Sequence, residues 1–165
     1  MNPQKKYGIV SMKKSIRLND YEDGSMETKD IYFVVPGEVV PKGRPRFTRS
    51  GHAFTPKRTT DYETKVKAYY LTEYPYGKAF ESEPLEIILN VYMALPKSFS
   101  KKKKDHMLCY EFPTKRPDSD NLLKSICDAL NGVAYTDDSQ IVSATVNKLW
   151  SEEAKAEITI RQVKK

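Results

Sequence analysis

RPDSDNLLKSICDALNGVAYTDDSQ, residues 116–140, is the stretch from which the rest of the chain can be read. Leu122, Leu123, Ile126 and Leu130 recur at helical spacing and predict a helix with one apolar stripe. Asn131-Gly132 predicts its stop, because glycine readily takes the positive φ with which many helices end. Acids flank this helix: Asp118 and Asp120 before and at its start, Asp137 and Asp138 just after it. Asp120, Lys124 and Asp128 lie at i, i+4 and i+8 and share one polar face.

Such a helix needs an apolar surface to lie on, and the flanking sequence supplies strands. Upstream, Leu85–Ala94 alternates, with Leu85, Ile87, Leu89, Val91 and Met93 on one face. Downstream, Gln140–Trp150 and Ala154–Val163 read as two strands separated by Ser151-Glu152-Glu153, which predicts a hairpin. In the second of them Ala156, Ile158 and Ile160 share a face. IYFVVPGEVV, residues 31–40, predicts a strand broken or turned at Pro36-Gly37. Thr59 to about Glu73 predicts a helix whose Tyr62, Val66, Tyr69 and Tyr70 face the core. Ser98 or Ser100 can cap a short helix over Lys101–Leu108, and Pro113 and Pro117 bracket an extended lead into the acidic segment. The order β, loop, α, β, α, α, β, β predicts an α+β (mixed α/β) fold. It is expected as a single compact domain over residues 30–165, with helices packed on a small mixed sheet. Residues 1–29 are expected to be a flexible polar N-terminal extension.

The chain has 165 residues, 39% hydrophobic and 30% charged, with a formal net charge of +6. No apolar run is long enough to span a bilayer, and the basic N-terminus lacks the apolar segment of a secretory signal. Two cysteines and two histidines, with no metal-type spacing, argue against structural zinc and a disulfide framework. A cytoplasmic protein with reduced thiols and no membrane partner is expected. Lys42, Arg44, Arg46, Arg49, Lys57 and Arg58 lie between Glu38 and Asp61 with no acid among them. Forked guanidiniums in such a run suit phosphate oxygens, so these six residues are the candidate DNA-binding set. Lys101–Lys104 form a second block, read equally well as a solvated face or as phosphate contact. Three prolines and two glycines make regular structure unexpected in PKGRPRFTRSGHAFTPKR. Phe47 and Phe54, interleaved with its basic residues, could stack on bases; the expectation is that they anchor the loop to the core.

Each acid has an ordinary structural use. Asp118 suits an N-cap, Asp120 a first helical turn, and Asp137-Asp138-Ser139 a turn. Gathered beside an arginine-rich loop, they read instead as a site for a hard divalent cation that takes carboxylates, water and phosphate as ligands. Asp118 and Asp120, two apart, can converge, and one of Asp137 and Asp138 can join if the chain folds back along the helix. Lys124 would balance their charge, hold a phosphate or stabilise a transition state; it would otherwise be a surface ion-pair partner.

RPDSDNLLKSICDALNGVAYTDDSQI resembles the signature of the RusA family of Holliday-junction resolvases, PDxDNxxKxxxDxLxG followed shortly by DD. PKGRPRF resembles that family's early basic motif, and the resemblance covers residues 31–163. It implies a RusA-like homodimer that binds branched DNA, four-way junctions above all. With Mg²⁺, or Mn²⁺ in its place, such a dimer cuts two strands symmetrically and needs no small-molecule cofactor. The resemblance places the metal aspartates at Asp118, Asp120 and Asp138, and the catalytic lysine at Lys124. Asp128 and Asp137 also match family positions, without an assigned role. A bacterial recombination or repair setting and a phage or prophage one fit equally. Competing readings are a broader flap or branched-DNA nuclease, a non-catalytic DNA-binding module that keeps the fold, and a metal-dependent phosphatase, which leaves the basic loop unexplained.

Overall fold

The computed structural model describes residues 30–44 and 46–164, with Arg46 described by its backbone alone. The N-terminal extension expected over residues 1–29 lies outside the described residues. Among the described residues six strands and three helices follow one another. These are β1 (Asp30–Pro36), β2 (Arg46–Phe47), β3 (Ala53–Phe54), α1 (Lys57–Glu73) and β4 (Leu85–Ala94), then α2 (Lys101–Tyr110), α3 (Ser119–Leu130), β5 (Ile141–Ser151) and β6 (Lys155–Gln162). A short 3-10 turn, Asp138–Gln140, precedes β5.

The main sheet has the order β1-β6-β4-β5. β6 is antiparallel to both neighbours, and β4 and β5 are parallel, which makes the sheet mixed and the fold α+β as expected. A parallel pair requires a long crossover, here supplied by residues 95–140 with α2 and α3. The alternation predicted for the strands appears as burial. Ile31, Phe33 and Val35, then Leu85, Ile87, Leu89 and Val91, then Ala156, Ile158 and Ile160 are all buried on one face. Tyr62, Val66 and Tyr70 of α1 and Leu122, Ile126 and Leu130 of α3 pack on that face. Full burial of side chains this size is worth about 1.5–3 kcal/mol each. Tyr69 is more than a third exposed and leaves the expected stripe.

Two further expectations change. β5 and β6 do not form a hairpin: β4 lies between them. β4 carries the longest run of buried alternating residues, and the central position covers both of its edges. Residues 152–154 bridge the roughly 10 Å between strands that flank a third. The proline-rich loop is also partly regular. β2 and β3 pair as a short antiparallel ribbon, and α1 begins at Lys57 rather than Thr59. α2 starts where Ser100 caps it, the hydroxyl accepting from the Lys103 amide, and runs to Tyr110. Its lysines are partly tied down: Lys103 lies 3.7 Å from the centre of the Phe99 ring, and Lys104 donates to the Lys97 carbonyl.

Candidate active site and nucleic-acid interface

α3 aims the acidic segment. Its stripe buries Leu122, Ile126 and Leu130 and leaves Asp120 and Lys124 exposed on the opposite face. Asp118 occupies the N-cap position with extended φ and ψ, yet its carboxylate makes no capping bond. Lys148, from the inner side of β5, holds the preceding loop by donating to the carbonyls of Lys115 at 2.6 Å and Pro117 at 3.1 Å. The Arg116-Pro117 peptide bond is cis. At the other end, Gly132 takes φ +71° and turns the chain back, so that the Tyr135 hydroxyl donates to the Cys127 carbonyl.

The two late acids are treated differently. Asp137 caps the 3-10 turn: its carboxylate accepts from the Ser139 amide at 2.9 Å, while the Gln140 side chain accepts from the Asp137 amide at 3.0 Å. The bonds to Ser139 lower its pKa. The Asp138 side chain is exposed and has no hydrogen-bond or ion-pair partner among the described residues. The same holds for Asp118, Asp120 and Lys124. Asp128 is instead claimed by Lys42, whose ammonium lies 2.5 Å from it and 2.7 Å from Glu63. Burial works against the Lys42 charge, but the two carboxylates outweigh it and raise its pKa.

The chain does not bring all the acids together. Asp118 and Asp120 stand at the N-terminal end of α3, near the end of β5 that carries Lys148. Asp138 stands at the opposite end, where the Gln140 side chain is tied to the Glu83 carbonyl just ahead of β4. A helix of twelve residues is about 18 Å long. Among the described residues no group of three or more His, Cys, Asp or Glu is placed to hold a metal ion. The expected fold-back of Asp138 to the helix start is therefore absent within one chain, because Gly132 and the Tyr135 anchor deliver residues 136–140 to the base of β4 instead. Asp118 and Asp120, two residues apart and without a partner among the described residues, fit Mg²⁺ in its usual mode, with water and phosphate completing the shell.

A cleft of about 810 Å³ adjoins Asp118 and is lined by Arg44, Arg58, Lys115, Arg116, Asn121 and Trp150 among others. Arg44 and Arg58 were candidates from sequence; Lys115, Arg116 and the scaffolding Lys148 were not. Arg116 stands two residues before Asp118, and that place is the signal the sequence offers. Arg58 is 4.0 Å from Glu38 with both side chains largely exposed, a contact too loose to tie it down. Arg49 and Lys57 are exposed. Lys42, assigned to phosphate by sequence, also lines this cleft and is paired there with Glu63 and Asp128, and the Arg46 side chain lies outside the described residues. Phe47 and Phe54 do not anchor the loop: they are 71% and 46% exposed. Lys42 and Gly43 do that work. The Gly43 amide donates to the Thr59 hydroxyl, and a Cβ at Gly43 would stand 3.1 Å from both Pro56 and Thr59.

Cys127 is buried and Cys109 exposed, both as free thiols. Burial pushes the Cys127 thiol up to about 11, which leaves it without nucleophilic character at neutral pH. No described helix is long and apolar enough to cross a membrane.

Comparison with known proteins shows the family. The chain is 37% identical over 139 residues to the uncharacterized protein YqaN of Bacillus subtilis (strain 168), a match that covers 81% of this chain and 96% of that protein. The family described as endodeoxyribonuclease RusA matches residues 36–161, from the end of β1 to the end of β6. The basic ribbon, the three helices, β4, β5 and nearly all of β6 thus fall inside the match, and the chain belongs to the endodeoxyribonuclease RusA family.

Proposed function

We propose that this protein is a Mg²⁺-dependent endonuclease that resolves four-way DNA junctions as a homodimer, by paired hydrolysis of two symmetric phosphodiester bonds. The observation that carries the reading is selective: Asp118, Asp120, Lys124 and Asp138 are exposed and without a partner among the described residues, while their neighbours Asp128 and Asp137 are committed to structure. Four charges left free at the family's motif positions, beside a cleft lined by Arg44, Arg58, Lys115 and Arg116, suit a phosphodiester substrate. Asp118 and Asp120 would hold the ion. When bound, it supplies Lewis acidity and a water of lowered pKa. Lys124, one turn beyond Asp120, stabilises charge on the phosphate or on the departing 3′-oxygen. The basic side chains of the cleft orient the strand, and their share of binding falls with salt.

The homodimer gives Asp138 a role that one chain does not. α3 holds it apart from Asp118 and Asp120, so it acts with them only across two copies. A two-fold axis also matches the symmetry of a four-way junction. The test is cleavage of a labelled synthetic junction beside linear duplex, in Mg²⁺ and in EDTA. Paired nicks in the junction alone, with metal only, support the reading. Metal-dependent cutting of flaps and nicked forms at equal rates favours the broader nuclease. Binding without cutting in Mg²⁺ and Mn²⁺ refutes catalysis. Mixing Asp120→Asn with Asp138→Asn chains should restore nicking through hybrid dimers; no recovery despite subunit exchange would place Asp138 outside a shared site.

A further inference from the structure

Phe47 and Phe54 are exposed within a strongly basic segment, and neither belongs to the buried core cluster. They sit on the β2–β3 ribbon, in which Phe47 pairs with Ala53 and Arg46 with Phe54. Neighbouring residues of a strand point to opposite faces, so the two rings project from opposite faces of the ribbon.

The ribbon is built to hold them there. At its tip the Thr48 amide donates to the His52 carbonyl at 2.9 Å, and the Gly51 amide to the Thr48 carbonyl at 3.0 Å. The Thr48 hydroxyl accepts from the His52 amide at 3.1 Å, and Gly51 adopts φ +81°. At its base Lys42 is locked to Glu63 and Asp128, and its amide donates to the Asn121 carbonyl of α3. The ribbon is thereby tied to the helix that carries the unpartnered acids. Arg49 at the tip, and Arg44, Lys57 and Arg58 beside the base, are exposed.

We infer that the β2–β3 ribbon is a wedge for the branch point, with Phe47 and Phe54 stacking on bases left unstacked where DNA arms meet. This inference rests on the branched-DNA reading above. Exposed rings in a field of guanidiniums complement a ligand with aromatic faces and a polyanionic backbone. Stacking on aromatic side chains needs no base-edge code, since every base has a π-face. Apolar side chains inserted between base steps unstack and kink DNA elsewhere. A continuous duplex keeps its base faces covered, whereas a branch offers them open. A ring on each face of the ribbon can engage two steps at once. The preference for branched DNA then arises from Phe47 and Phe54, and general affinity from the surrounding cations.

The experiment measures junction and duplex binding in EDTA, with 2-aminopurine placed either at the branch or within an arm. Wild type should bind the junction more tightly and change the fluorescence of the branch probe alone. Phe47→Ala with Phe54→Ala should lose that signal and weaken junction binding by about fivefold or more for each ring. Duplex affinity should stay within about twofold, the cations being intact, and Phe47→Trp with Phe54→Trp should retain preference and signal. Equal weakening on junction and duplex would overturn the wedge, as would no change on either. A shift of the double alanine variant from dimer to monomer in sedimentation would assign the rings to a subunit interface instead and overturn it too. If wild type itself shows no junction preference, the branched-DNA reading fails and takes the wedge with it. A junction preference kept by the double alanine variant sinks the wedge alone.

Discussion

Lys42→Met separates scaffold from clamp. The Lys42 ammonium is 2.7 Å from Glu63 and 2.5 Å from Asp128, and the three side chains are only 20–25% exposed. Removing the cation leaves two half-buried carboxylates facing each other without compensation. Breaking a fully buried pair from one side costs about 3–5 kcal/mol; the partial exposure here lowers that to roughly 2–4 kcal/mol. With a urea m-value of about 2 kcal/mol/M, the unfolding midpoint should fall by about 1–2 M. The triple variant Lys42→Met, Glu63→Gln, Asp128→Asn should recover most of it, because no uncompensated charge remains. Junction binding by folded Lys42→Met should keep the wild-type salt slope. A wild-type midpoint, together with a salt slope reduced by about one, would refute the reasoning and return Lys42 to the phosphate contacts.

Asp138→Asn should abolish cleavage with little change in melting temperature, whereas Asp137→Ala should lower the melting temperature and retain measurable cleavage; melting curves and initial rates check both. Asp120→Asn should abolish cleavage while retaining junction affinity, since losing one negative charge removes a metal ligand but eases phosphate approach. Arg44→Ala and Arg58→Ala should each weaken junction and duplex binding alike and reduce the log–log salt slope by about one, measured by titration at several salt concentrations. At pH 8 iodoacetamide should label the folded chain at Cys109 alone and reach Cys127 only in denaturant, because burial keeps the Cys127 thiol protonated well above that pH; mass spectrometry counts the adducts.

Much of the scaffold was legible because each element advertises its own period. Alternation in Leu85–Val91 and Ala156–Ile160 is a local property that burial on one face reproduces. The neighbour relations were not local. That β4 slips between β5 and β6 depends on which strand can fill both of its edges, and no spacing within residues 140–163 records it. The acids were legible as a set but not as a geometry. Sequence adjacency made Asp137 and Asp138 equivalent, and only the bonds to Ser139 and Gln140 tell them apart. Phe47 and Phe54 were misread because aromatic residues in loops usually serve packing; here Gly43 and Lys42 seat the loop and leave the rings outside.

The register of the sheet bears on how the chain acquires its activity. β1 and β4 both pair with β6, so Ile31 meets Ile160 across nearly the whole described sequence. Contacts this distant in sequence form late, since a long loop must be closed before they return any stability. A nascent chain that ends before Lys155 holds the basic ribbon and the acidic helix but has no strand to join its first and central ones. The sheet therefore closes only once Lys155–Gln162 is in place, and a chain cut before Lys155 is expected to leave β1 without a strand to pair with.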